Sequence, residues 1–439
     1  MSDPATPTAQ GRLSSPLARA TILGAALVLI GTAPSHAQWT QWRGPERDGS
    51  VRAGPREWPP RLELLWQRDV GGGYAGPVTD GRRVWVHSRR GGNEVVSSLR
   101  LDDGELVWRG EYPAPFQQDP SAINHGKGPY PTPALADGRL FTFGARSVLT
   151  AWDAGSGDLL WRADYASEFD PAYPYFGAVA SPLVWGGLCF VPFGGATEQD
   201  PGRGAMMALR VADGQEAWRW TGEAPATGAS PIVREIAGQP HLVFKSKALI
   251  VGVDPQTGRE LWRIPFRVSQ DNTIVTPVFV GDRLITSDYQ MGAWAWRILP
   301  DGGGWSVREL WENPSVSIFT SSPVLAAGLL VGLSETRKGE LFGLNPANGE
   351  IRWRGEPRWG EHASLIARGN EVLVFREDGS LVVGKVSLDG FETIRRYGVG
   401  GSLMWAHPAI LGDRIIVRDG DRIAVYGVSQ VDRPDAGAR

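Results

Sequence analysis

The strongest constraint on this chain is a short phrase that it repeats in order. From Leu149 to Trp161 it reads apolar strand, Asp153, turn, Gly157, short strand and Trp161. The same order returns from Ile250 to Trp262, around Asp254 and Gly258, and from Leu341 to Trp353, around Asn345 and Gly349. A looser copy ends Asp213, Gly214 and Trp218, and a shortened one ends Asp103, Gly104 and Trp108. Asp or Asn suits the start of a turn because its side chain bonds its own backbone, and Gly suits a left-handed position. A hairpin rewritten at a regular period marks an array of units, each of which buries its faces only against its neighbours.

A second phrase interleaves with the first: a small residue, Pro, an apolar pair, a Gly-containing turn and an apolar strand. It begins at Gly76-Pro77, Thr132-Pro133, Ser181-Pro182, Ser230-Pro231, Thr276-Pro277, Ser322-Pro323 and His407-Pro408, with a copy lacking Pro at Ser364-Leu365. These starts lie 42 to 56 residues apart, where a four-stranded propeller blade takes roughly 40–50. Pairs such as Asp137-Gly138 and Gly281-Asp282 are hairpin turns, and no stretch after residue 37 sustains helical periodicity. The pattern predicts an all-β fold, an eight-bladed β-propeller. A seven-bladed ring is the alternative, because the fifth and seventh units are degenerate.

The large aromatics count the same units. Trp66, Trp108, Trp161, Trp218, Trp262, Trp311 and Trp353, with Tyr397 in the matching place, are expected to dock one blade against the next. Trp66 precedes the first start, and the last unit ends near Val428 without its own Trp. Residues near 62–70 should therefore supply the outer strand of the eighth blade and close the ring.

Arg12 and Arg19 precede the apolar run from Ala20 to Ile30, and Ser35-His36-Ala37 offers a small-residue cleavage site. This predicts a signal peptide over 1–37, with a retained anchor as the alternative, and hence a periplasmic or secreted protein. Residues 38–61 are then an N-terminal strap, with Trp39 and Trp42 packing on the ring, 62–428 the propeller, and 429–439 a disordered tail. The single cysteine, Cys189, excludes an internal disulfide, and its apolar neighbours predict a buried, inert thiol. A net charge of −3 with mixed signs gives no electrostatic case for nucleic acid or an anionic membrane surface. A monomer with no membrane span after cleavage is expected.

The repeated phrases resemble the tryptophan-docking repeats of the pyrroloquinoline-quinone-like propellers, which include quinoprotein alcohol dehydrogenases and the BamB type of assembly factor. The resemblance covers roughly Gln41 to Val428, and Gln41-Trp42-Arg43-Gly44-Pro45 looks like the opening of an exported bacterial subfamily. The dehydrogenases of that group use the quinone, a calcium ion and a catalytic Asp, and several carry a vicinal Cys pair. One cysteine rules that pair out, no c-type haem motif is present, and no catalytic or metal-ligating residue can be assigned by motif. The resemblance implies a non-catalytic scaffold for a periplasmic protein or glycan, without a cofactor. A small quinoprotein dehydrogenase using the quinone and calcium is the alternative.

Ligand contacts are expected where the loops preceding the innermost strands gather at one channel mouth. Those loops hold Tyr74, His125, Lys127, Tyr130, Tyr175, Phe176, Asp271, Asn272, Phe319, Glu361, His362, Trp405 and His407. Aromatic faces beside a few polar groups suit a sugar, a planar cofactor or a peptide, or else a plugged channel with bound water. Asp271, Asn272 and Glu361 are the candidate oxygen donors for a cation, and Glu361-His362 a candidate acid–base pair. The Gly-rich insertion Phe193–Gly204 lacks phosphate-loop spacing and is expected to be a surface loop.

Overall fold

The computed structural model describes residues 38–428 apart from 56, 118–119, 121–125, 166–167, 169–175, 195–203, 224–227, 267–272 and 402–403. The expected signal peptide, C-terminal tail and most of the Gly-rich insertion thus lie outside the described residues. The propeller belongs to the compact unit His36–Arg439. Among the described residues, no helix is long and apolar enough to cross a membrane.

Among the described residues the strands form eight antiparallel four-stranded sheets. Blades 1 to 7 occupy 78–113, 134–164, 183–220, 232–265, 278–313, 324–357 and 363–398, each running in sequence order from the axis outward. Blade 8 takes three strands from 409–427 and its outer strand, Glu63–Asp69, from the other end of the chain. Leu64 pairs with Tyr426 and Trp66 with Val425, which closes the ring with antiparallel hydrogen bonds. The middle strands of each blade are buried on both faces; Leu188–Gly194 is buried at every position. That is why they read as continuous apolar runs rather than as alternating strands.

The repeated phrase is the joint between blades. The indole N–H of Trp66 donates to Leu101 O (2.7 Å), Trp108 to Ala154 O (3.0 Å), Trp161 to Val211 O (3.0 Å), Trp218 to Pro255 O (3.0 Å) and Trp311 to Pro346 O (3.1 Å). Each acceptor lies beside the turn that joins the outer two strands of the following blade. The Gly of that turn has positive φ and lies under the ring: a Cβ on Gly104, Gly157, Gly214, Gly258 or Gly349 would sit 2.5 Å from the docked indole. The Asp fixes the turn; Asp153 Oδ1 accepts the N–H of Gly155 and Ser156. Trp353 docks the same way on Ser387 O, without a Gly beneath it.

Two joints depart from this pattern. Trp262 packs in one core cluster with Leu284, Trp296 and Ile298 of blade 5, but its N–H donates to His241 Nδ1 of its own blade at 2.8 Å. The outer hairpin of blade 5 turns tightly at Asp301-Gly302-Gly303-Gly304 and lacks the Asp-x-x-x-Gly spacing of indole-receiving turns such as Asp153 to Gly157, and its Trp305 packs edge-on against His241 instead. In blade 7 the register places Arg395, not Tyr397, opposite Val383, which corresponds to Trp353 opposite Gly343 in blade 6. Tyr397 lies two residues further on, packs against Trp58 and donates its hydroxyl proton to Pro59 O.

Nearer the axis a second joint repeats. The residue before Pro is Ser or Thr at five starts because its hydroxyl accepts a backbone N–H from the preceding blade. Gly76 N–H donates to Thr132 Oγ1, Thr132 N–H to Ser181 Oγ, Ser181 N–H to Ser230 Oγ and Ser230 N–H to Thr276 Oγ1, each at 3.0 Å, and Thr276 N–H to Ser322 Oγ at 3.3 Å. Where blade 8 meets blade 1, the buried Arg418 donates to the carbonyls of Gly71, Ala75 and His87. Buried charges tie other blades: Glu94, paired with Arg89, accepts the N–H of Ala145 in blade 2, and Lys245 of blade 4 pairs with Asp288 of blade 5.

Gly214 and Gly238 both have positive φ, but a Cβ at Gly238 meets nothing within 4 Å. Gly238→Ala should cost about 1 kcal/mol, the strain of a left-handed Ala. Gly214→Ala should cost about 1–3 kcal/mol more, because Trp161 has to shift. Urea denaturation midpoints compare the two; equal losses would mean that the docked indole tolerates displacement.

Candidate binding site at the channel mouth

The innermost strand of every blade leaves one edge facing the axis, and unpaired edges need partners. Residues 39–51 supply many of them by threading the channel. Trp39 pairs with Thr79 of blade 1 through two backbone bonds of 2.9 Å, Thr40 O accepts from Leu135 of blade 2, and Ala367 of blade 7 bonds to Gly49 and Val51. Two arginines reach opposite ways: Arg47 to the carbonyls of Ser181 and Pro182 in blade 3, Arg43 to Pro323 O by blade 6. The ring of Trp42 is 5.5 Å from the Arg43 guanidinium and 5.7 Å from that of Arg47, within the range of cation–π attraction for both. Burial lowers the Arg43 pKa to about 10 and that of Arg47 to about 9, so both stay charged at neutral pH. The segment expected to be a strap on the ring is therefore a plug within it.

Above the plug a blind cavity of about 170 Å³ opens at the mouth. Trp42 and Arg43 line it from the plug, Thr132, Ser181, Ser230 and Ser322 from the hydroxyl joint, and Tyr74, Tyr130, Phe176, Trp405, His362 and His407 from the loops. Tyr74 stacks on Tyr130 at 5.3 Å, Phe176 meets Tyr130 edge-on, and His362 lies parallel to Trp405 at 4.8 Å. Trp39 stacks on His407 from below. No carboxylate is present among the described lining residues.

The imidazole protons follow from the hydrogen bonds. His407 Nδ1 lies 3.0 Å from Pro408 O, a pure acceptor, so Nδ1 carries the proton. His362 Nδ1 lies 3.1 Å from Thr320 Oγ1, whose own proton goes to Glu361 O, so this Nδ1 also donates. In both rings Nε2 is buried and makes no hydrogen bond. Burial lowers the His362 pKa to about 4, and burial with the nearby Arg43 charge lowers that of His407 to about 3. Both are neutral at physiological pH.

Of the residues singled out from the sequence, Tyr74, Tyr130, Phe176, His362, Trp405 and His407 line this one cavity. Lys127 and Glu361 are exposed and outside its lining, and Phe319 packs on Tyr289 at 4.9 Å. Glu361 therefore does not act on the cavity beside His362; its backbone N–H bonds to Glu377. His125, Tyr175, Asp271 and Asn272 lie outside the described residues. Sequence reasoning passed over Arg43 and the Ser/Thr hydroxyls; the recurrence of Ser or Thr before Pro was the available signal for the latter. Cys189 is buried and apolar surroundings push its thiol up, as an inert thiol requires.

An eight-bladed ring with tryptophan joints of this kind defines a pyrroloquinoline-quinone-like propeller. Residues 92–355 match the family described as outer membrane protein assembly factor BamB, and the chain belongs to that family. BamB from Moraxella catarrhalis superposes with a TM-score of 0.58 at 17% identity, covering 86% of this chain and 99% of that one. The quinohemoprotein alcohol dehydrogenase of Comamonas testosteroni superposes with a TM-score of 0.62 at 14% identity, covering 92% of this chain and 82% of that one. In sequence, quinohemoprotein alcohol dehydrogenase ADH-IIG of Pseudomonas putida is 30% identical over 147 residues, which are 31% of this chain and 19% of that enzyme. The chain thus matches only about a fifth of the enzyme's length.

The two neutral histidines predict an acid sensitivity. An unfolded histidine takes up its proton near pH 6.5, whereas in the fold these rings stay neutral down to about 4 and about 3. The unfolded state therefore binds more protons below pH 6.5, and stability falls as pH drops. Between pH 7 and 5 each ring should remove about 2 kcal/mol. Unfolding free energies across that range should fall less steeply in His362→Gln/His407→Gln; an unchanged slope would refute the assignment.

Proposed function

We propose that this chain is an exported, non-catalytic propeller whose channel mouth docks a periplasmic protein or glycan partner. The observation that carries this reading is the blind mouth cavity: aromatic rings, hydroxyls and one buried guanidinium above a plug made by the chain's own N-terminal segment. Export is supported by the charged, apolar and small-residue order of residues 12–37 and by the envelope role in the family's description.

The kinship with quinoprotein dehydrogenases makes the quinone and calcium the alternative to test against the residues present. Calcium takes 6–8 oxygen ligands, with carboxylates prominent among them. Among the described residues no three His, Cys, Asp or Glu side chains gather, and the cavity lining offers a guanidinium, which repels a cation. Of the three oxygen donors suggested by the sequence, Glu361 is outside the lining. The described residues do not fit the ion, and no catalytic step is assigned to them.

Equilibrium dialysis of the purified chain against pyrroloquinoline quinone, with and without calcium, should show no retention, and alcohol should support no dye reduction. Tyr130→Ala and Trp405→Ala should lower partner capture from periplasmic extract at least fivefold while leaving the melting curve cooperative. Calcium-dependent retention of the quinone, with alcohol-dependent dye reduction, would replace this reading by the dehydrogenase one.

A further inference from the structure

Exposed apolar side chains are concentrated on one part of the outer wall. Six of the eight large ones among the described residues are Leu64, Leu65, Leu106, Val107, Leu159 and Leu160, each at least 37% exposed. They are the two residues before the docked Trp in the outer strands of blades 8, 1 and 2, which are consecutive around the ring. The fold does not ask for them. At the same register the first of the pair is Glu216, Glu260 and Glu309 in blades 3, 4 and 5, and blade 6 has Arg352 as the second. An apolar cluster on a water-facing wall marks an interaction surface.

Charge adds to this surface where blades 8 and 1 meet. A groove of about 460 Å³ lies there, lined by Leu106, Val70 and Leu99 together with Arg68 and Arg109. Its carboxylates are already matched: Asp103 and Glu105 pair with Arg100, and Asp69 with Arg90. Its two arginines are not. Arg109 is exposed, and its side chain makes no hydrogen bond or ion pair among the described residues. Arg68, also exposed, donates to carbonyl oxygens, those of Gln67, Asp103 and Gly104. The joint itself needs no charge at that place. Two residues after the docked Trp the other blades have Gly110, Ala163, Trp220, Ile264, Asn313 and Gly355. Asn313 Nδ2 donates to Gly349 O as Arg68 Nε donates to Gly104 O, so a neutral side chain serves the same contact. Both guanidinium charges are surplus to the fold, and a carboxylate is the group that matches them.

Curvature decides between occupants. From blade 8 to blade 2 the surface turns through a quarter of an eight-bladed ring. A membrane, or the wall of a second copy, meets such a surface along one blade only. An extended segment bends round all three.

We infer that the outer wall over blades 8, 1 and 2 docks an extended polypeptide segment of a partner protein, with carboxylates opposite Arg68 and Arg109 and apolar side chains on the leucine pairs. This surface lies outside the mouth and does not rest on the reading given to it.

The test is fluorescence anisotropy on the full chain with three labelled peptides of equal length: one alternates leucine with glutamate, one leucine with lysine and one serine with glutamate. The leucine–glutamate peptide should bind about tenfold more tightly than either of the others, and its binding should weaken as salt is raised. Arg68→Asn, which keeps a donor for Gly104 O, combined with Arg109→Gln should weaken it about fivefold with the melting temperature unchanged. Leu106→Ser should weaken it while the salt dependence persists. Tyr130→Ala at the mouth should leave it as it was, so the two surfaces fail separately. Discrimination among the three peptides is read on the wild-type chain and does not depend on any variant folding. Equal binding of the lysine peptide, no binding at millimolar concentration, or indifference to both arginine replacements overturns the wall site. Binding abolished by Tyr130→Ala gives the peptide to the mouth and also overturns it. A dimer in sedimentation velocity that Leu106→Ser dissolves gives the wall to a second copy, with the same consequence.

Discussion

The interaction on which this ring depends is an indole crossing from one blade to the next. A four-stranded sheet of this size cannot bury its own faces, so each blade is stable only through its neighbours. Trp161 shows how much one residue does: it covers apolar area, donates to Val211 O, and rests on a turn whose Gly214 leaves no room for a Cβ. Removing such a side chain typically costs about 3–5 kcal/mol. Because Trp66 carries the same joint from blade 8 to blade 1, ring closure uses no special device on the outside.

On the inside, the ring is held by a different chemistry. The hydroxyl joint links neighbouring inner strands one backbone N–H at a time, and the plug spans the axis between blades that are far apart in sequence. Arg43 and Arg47 are buried cations met largely by carbonyl oxygens, at ends of strands whose carbonyls would otherwise face an empty channel. Trp42, beside both guanidinium groups, lines the pocket from the plug. Closing the axis in this way leaves one open pocket at the mouth among the described residues, and gives that pocket a positive base and an aromatic wall.

The mouth is where this chain and the dehydrogenases that share its fold can be compared by chemistry. The fold alone does not decide a function. Among its described lining residues this mouth combines aromatic rings, two neutral histidines, uncharged hydroxyls and one buried guanidinium.

The blade count, the order of the strands and the closure of the ring by residues before the first blade were all legible in the sequence. Each rests on local periodicity, and a repeat prints its period many times over. The two departures came where the pattern was thinnest: Trp262 packs on a blade whose outer hairpin lacks the receiving turn and donates to His241 instead, and blade 7 carries its aromatic two residues further on, where Tyr397 packs against Trp58. Six of the mouth residues were also legible, since every loop before an inner strand must end at the same rim. The role of 39–51 was not, because nothing local in Arg43 or Arg47 says that their partners lie in blades 6 and 3. The sequence by itself determined the ring, since a repeated unit carries its own neighbour contacts. Only the tertiary structure decided what fills the axis and which polar groups are left unmet at the mouth, since those depend on contacts between segments that share no pattern.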